Sequence, residues 1–194
     1  GFTGTDVSYV HGIYFTDDEL ARLSETGTGV CHCPSSNMRL GSGIARVTEM
    51  LAAGVPVSVA VDGSASNDSS DYLGELRAAL LLQRVRYGAD AITAREVVTL
   101  GTLGGARMLG FPRCGELRVG WAADIAAFDV AGIAYAGAQS DPLAALLFAG
   151  IDHTAEWTIV NGRVVVEHGH ITGADEEHLA AEANQAAARL LYRA

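Results

Sequence analysis

Three short strand candidates, each closing on polar residues and each followed by a stretch of helical period, constrain this chain more than anything else in it. Residues 6–10 close on His11-Gly12, residues 29–33 break at Pro34, and residues 57–61, polar only at Ser58, stop on Asp62. Between and after these runs, Leu20 and Leu23, then Ile44, Val47, Met50 and Leu51, then Leu73, Leu76, Leu80 and Val85 keep helical spacing. The apolar run over residues 57–61 reads as a strand buried on both faces, and strand–helix alternation means a parallel sheet with right-handed crossovers. The fold class is therefore α/β, as a fraction of a barrel or of a doubly wound sheet. In either architecture ligands bind at the C-terminal edge of the strands, where Asp62 stands.

Thr16-Asp17-Asp18-Glu19 offers a helix start that ends at Gly27, residues 35–37 read as a loop, and residues 72–87 and 93–109 read as two further helices. From Gly115 the pattern changes. Residues 124–128 form a strand candidate, and residues 157–160 and 163–167 flank Asn161-Gly162, which suits the two positive-φ positions of a type I′ hairpin turn. Residues 175–193 close the chain as an alanine-rich helix carrying Leu179, Leu190 and Leu191. The expected organisation is βα units over 1–112, a smaller β unit over 113–173, and a closing helix over 174–194 that packs back on the first.

The chain has a formal charge of -10, and its thirteen basic residues are all arginine. That balance argues against a nucleic-acid or anionic-membrane partner, since either calls for a basic face. Arginine without lysine, amid abundant alanine and glycine, is what GC-rich bacterial coding produces. No run of roughly 18 apolar residues is present to span a bilayer, and no basic-then-apolar signal opens the chain. Three cysteines, two of them in Cys31-His32-Cys33, make no complete disulfide framework and fit a reducing compartment, so a cytoplasmic location is expected.

His11 and Asp62 end the first and third strands and so share one rim of the sheet. A histidine and a carboxylate there can bind a metal, transfer protons, or do both; a strand-end histidine and a turn-capping aspartate are the structural alternatives. Cys31 and Cys33 share one strand face and His32 takes the other, which does not make a four-ligand zinc site; His32 reads as a supporting group near the rim. His168-Gly169-His170 spells a metal-binding pattern but follows the hairpin beside a glycine turn and reads as exposed loop histidines. Residues 101–105 lack the lysine of a phosphate loop and read as close helix packing, and Gly41-Ser42-Gly43, ahead of a helix, gives only a weak signal for anion binding on backbone N–H groups.

The motifs Val10-His11-Gly12, TGVCHCPSSNMRLGSG over residues 28–43 and VDGSASND over residues 61–68 resemble the amidohydrolase superfamily, in its cytosine deaminase and triazine hydrolase branch. Together with LLLQRVRYG and TLGGARMLG they look most like the 8-oxoguanine deaminases, and the resemblance covers essentially the whole chain. It implies a (β/α)8 barrel of which this chain holds strands six, seven and eight, plus the C-terminal part of a small β-sandwich. It also implies that Asp62 binds the metal and shuttles the proton, and that His11 polarises or deprotonates the hydrolytic water. The family's strand-one His-x-His, its strand-five histidine and the nearby glutamate have no counterparts here. A chain beginning at Gly1 without methionine is thus expected to be the C-terminal part of a longer enzyme, inactive without the rest.

The function so implied is metal-dependent hydrolytic deamination of a purine-like aminated heterocycle such as 8-oxoguanine, with one divalent metal, zinc or else iron. Asn37, Gly63 and Ser66 are the candidate substrate contacts. The alternatives are a triazine-type hydrolase that removes chloride or an alkylamine, and a non-catalytic fragment of the fold. A small heterocycle and a second copy of the chain are the expected partners.

Overall fold

A computed structural model describes residues 2–150 and 152–192. The three strand candidates form β1 (Ser8–Val10), β2 (Gly29–His32) and β3 (Val57–Val59), paired in parallel in the order β1-β2-β3. Ser8 is in register with Gly29 and Val30 with Val57, so the three strand ends finish level with one another. Beyond those ends the His11 N–H donates to the Cys31 carbonyl and the Ala60 N–H to the His32 carbonyl, carrying the ladder up to the two candidate site residues.

Helices make the crossovers. Helix α1 (Asp17–Thr26) starts where expected, because Thr16 and Glu19 cap each other reciprocally, and it ends at Gly27 in the left-handed region that glycine adopts without strain. Two short helices, α2 (Pro34–Arg39) and α3 (Val47–Ala52), fill the second crossover. Residues 35–37, expected as a loop, are therefore helical: Pro34 occupies the first turn, where its missing N–H costs nothing. A further short helix, α4 (Ser64–Asn67), follows β3 and leads to α5 (Tyr72–Tyr87). Leu20 and Leu23 of α1, Met50 of α3 and Leu76 and Leu80 of α5 are buried, as are Val30, Val57 and Val59 of the sheet.

The helix expected over 93–109 is interrupted. Helix α6 (Ala94–Thr99) passes through a π-helical turn (Leu100–Gly104) into α7 (Gly105–Met108). A Cβ on Gly104 would stand 2.5 Å from the Val57 carbonyl oxygen, so the glycine lets this turn approach the start of β3. A 3₁₀ turn (Ile133–Tyr135) and helix α8 (Pro142–Phe148) follow; Asp141 caps α8 by accepting from the Ala144 N–H.

Strands β4 (Ile125–Ala127), β5 (Trp157–Val160), β6 (Arg163–Glu167) and β7 (His170–Ile171) pair antiparallel in that order. Asn161 and Gly162 have φ of 49° and 75°, as a type I′ turn requires. Helix α9 (Glu176–Leu191) closes the described chain; the expected end at Arg193 lies outside the described residues. By packing, residues up to 121 with 130–153 form one unit, and residues 122–129 with 154 onward form another. This division falls elsewhere than the bounds 1–112, 113–173 and 174–194: α8 goes with the parallel sheet and α9 with the antiparallel one. Among the described residues no helix is long and apolar enough to cross a membrane.

Candidate active site

The parallel sheet delivers His11 and Asp62 to one edge. Both are non-glycine residues in the left-handed region, with φ of 69° and 65°. Such backbone is disfavoured for an L-residue and is found where surrounding structure holds it for a purpose. His11 Nε2 lies 3.7 Å from Asp62 Oδ2, and the two side chains keep 38% and 29% of their surface exposed, so the pair is open to a ligand.

Helix α2 supplies the support. The Ser36 hydroxyl donates to Asp62 Oδ2 at 2.6 Å, and Asn37 Oδ1 stands 2.8 Å from His11 Nδ1. With the amide oxygen as acceptor, His11 donates from Nδ1, and its Nε2 is turned toward Asp62. Ser66 of α4 donates to the same Oδ2 at 3.1 Å. The Ser36 hydroxyl chiefly, then the Gly63 N–H, then Ser66 and His11, hold the Asp62 carboxyl below its ordinary range, so it is ionised at neutral pH.

Of the residues singled out in the sequence, His11, Asn37, Asp62 and Ser66 come together, and Gly63 touches Asp62 through its backbone. His32 does not join them. It lies on the opposite face of β2 from Cys31 and Cys33, fully buried, and neither ring nitrogen has a hydrogen-bond partner among the described residues. Burial, with the nearby His11 charge, drops it to about 4, so it is neutral. The supporting role expected of His32 falls instead to Ser36 and Asn37.

Cys33 was not singled out for this site, yet its Sγ, one His11 ring nitrogen and one Asp62 oxygen lie within 4.8 Å of one another. The alternation that put Cys31 and Cys33 on one face was the available signal, since Cys33 comes just after the last residue of β2. The Cys33 thiol hydrogen-bonds to Cys31, which lowers the Cys31 thiol and raises that of Cys33, where burial and the Asp62 charge also act. The carboxylate suits a divalent metal such as zinc with the imidazole beside it, whereas a thiol held above its ordinary range is a poor ligand. His168 and His170 make no such group: each is exposed and bonded to its own glutamate, Glu156 at 2.6 Å and Glu176 at 2.9 Å.

The amidohydrolase family profile matches residues 2–165. The chain belongs to the amidohydrolase family. It is 46% identical over 191 residues to the 8-oxoguanine deaminase of Pseudomonas aeruginosa, covering 98% of this chain and 42% of that protein. Among solved amidohydrolase relatives, an adenosine deaminase from Xanthomonas campestris with bound zinc superposes with a TM-score of 0.93 at 30% identity, over 98% of this chain and 44% of that one. Atrazine chlorohydrolase from Arthrobacter aurescens, complexed with zinc, superposes with a TM-score of 0.89 at 33% identity, over 94% of this chain and 41% of that one. The chain thus spans less than half the length of each of these relatives.

Proposed function

We propose that this chain is the C-terminal portion of a metal-dependent aminohydrolase barrel, with β1, β2 and β3 as strands six, seven and eight and β4 to β7 contributing to a small β-sandwich. The reaction is hydrolytic removal of the amino group from a purine-like ring such as 8-oxoguanine. The observation that carries the reading is the His11–Asp62 pair on one strand edge, with an ionised carboxylate 3.7 Å from the imidazole Nε2.

Asp62 is the ligand this chain offers to a divalent metal, zinc by analogy with the zinc-bound relatives, and the remaining ligands come from the length of those relatives that this chain does not span. Such a metal supplies a Lewis-acidic centre that brings the pKa of water toward neutrality. Asp62, held ionised by Ser36 and Ser66, accepts the proton of the attacking water and passes it to the departing nitrogen. His11 Nε2 orients that water, and Asn37, bonded to Nδ1, fixes the ring. Gly63 and Ser66 lie on the rim where the ring would sit, while Asn37, buried behind His11, acts through that imidazole. The acidic, cytoplasmic enzyme works on a small heterocycle, without nucleic acid or membrane, as a homo-oligomer.

The likeness to atrazine chlorohydrolase favours one second reading, in which the same machinery expels chloride or an alkylamine from a triazine. Full-length enzyme incubated with 8-oxoguanine and, separately, with a chlorotriazine separates the two: ammonia from the purine is expected. Product from the triazine alone would transfer the assignment to the second reading.

A further inference from the structure

Behind the site lies a buried carboxylate that the proposed chemistry does not use. Glu75, in the first turn of α5, is 1% exposed. Its Oε1 accepts from the Ser35 N–H at 3.0 Å and its Oε2 from Asn67 Nδ2 at 3.1 Å. Both partners adjoin the site. Ser35 immediately precedes Ser36 and Asn37, which bond to Asp62 and His11. Asn67 Nδ2 also donates to the Val61 carbonyl at 2.7 Å, fastening the residue just before Asp62. The base of the network is itself anchored, because the Tyr72 hydroxyl, in the same turn of α5, donates to the Val59 carbonyl at 2.8 Å.

We propose that Glu75 is a positioning residue: one buried side chain that locks α2 and the turn after β3 in the register at which Ser36 meets Asp62 and Asn37 meets His11. The inference rests on the aminohydrolase reading for what the site does, and on the geometry alone for what Glu75 holds. A carboxylate suits the place because it only accepts hydrogen bonds and faces two donors; an amide of the same shape would turn its own N–H against one of them. Held in this strained backbone, Asp62 and His11 depend on such neighbours, since left-handed φ at a non-glycine residue persists only where the surroundings over-determine it.

The test uses the full-length enzyme and the nearly isosteric Glu75→Gln, with Gln83→Leu as the control. Gln83 is also fully buried on α5 but bonds to the Ala45 carbonyl and the Thr48 N–H, away from the site. Glu75→Gln is expected to lower kcat by about 10- to 100-fold with KM little changed, the usual effect of removing a group that orients a metal-site residue. It is also expected to shift the His11 ring-nitrogen resonances. Gln83→Leu is expected to lower the melting temperature while leaving kcat and those resonances unaltered. If Glu75→Gln does not fold, Asn67→Ala cuts one arm of the same network at a half-buried position and is read by the same two measurements. A wild-type enzyme without turnover on any aminated heterocycle would defeat the aminohydrolase reading, and the ring-nitrogen comparison would still decide the role of Glu75. Glu75→Gln with wild-type kcat and unmoved His11 resonances would overturn the proposal.

Discussion

At the scale of single residues, His11 and Asp62 are held where an L-residue is uncomfortable. Left-handed backbone costs a residue with a Cβ roughly 1–2 kcal/mol, and glycine escapes that cost. Asp62→Gly and Asp62→Ala lose the same carboxylate and the same bonds from Ser36 and Ser66, so their difference isolates the backbone. The glycine variant is expected to be the more stable by about 1 kcal/mol in urea unfolding; equal stabilities would mean that the backbone at Asp62 is unstrained.

His32 gives a prediction in pH. It is lowered from its ordinary 6.5 to about 4 by burial and the His11 charge. Between those values the unfolded chain binds a proton that the folded chain refuses, so stability falls as pH drops from 6.5 toward about 4 and His32 adds no further slope below that. The contribution over this range is on the order of 3 kcal/mol, and His32→Leu is expected to remove it from a series of unfolding curves. Of the site itself, His11 and Asp62 were legible in the sequence because each ends a strand candidate. Ser36 was not, because a hydroxyl in the loop-like run after a strand carries no periodic signal, and Cys33 was legible only through the alternation that sets it on the face of Cys31.

Among the elements, the π-helical turn between α6 and α7 is the one whose shape a neighbour dictates. Gly104 packs against the Val57 carbonyl, whereas a Cβ on the adjacent Gly105 would meet nothing within 4 Å. Alanine gains about 1 kcal/mol over glycine in a helix, but forcing a methyl against backbone costs roughly 1–3 kcal/mol. Gly105→Ala is therefore expected to raise the melting temperature and Gly104→Ala to lower it; matching shifts would show that the close approach does not matter. The hairpin over β5 and β6 was readable because Asn-Gly dictates its turn, and α1 because Thr16 and Glu19 cap it. Helices α2 and α4 were not, since Ser-Ser-Asn and Ser-Ala-Ser-Asn favour turns and become helical only through contacts with one another and with α5. Helix α8 lies in an alanine- and glycine-rich stretch with little polar alternation to mark its faces.

On the scale of the whole chain, the parallel sheet has three described strands, with β1 and β3 at its edges and Val10 of β1 half exposed. Unpaired apolar edges of this kind invite further strands. That fits a barrel whose other strands come from the length that the longer relatives possess and this chain does not span. The α/β class and the single edge shared by His11 and Asp62 followed from the alternation of short strand candidates with stretches of helical spacing. The split between units did not, because residues 130–153 pack with the parallel sheet although they follow β4 of the antiparallel one in sequence. The account as a whole turns on Asp62 as the carboxylate that holds the metal and carries the proton. Ammonia release from 8-oxoguanine by the full-length enzyme and by its Asp62→Ala variant tests this most directly. A loss of at least about 100-fold is the predicted result, the scale of a missing acid–base group, and turnover that survives the substitution would contradict it.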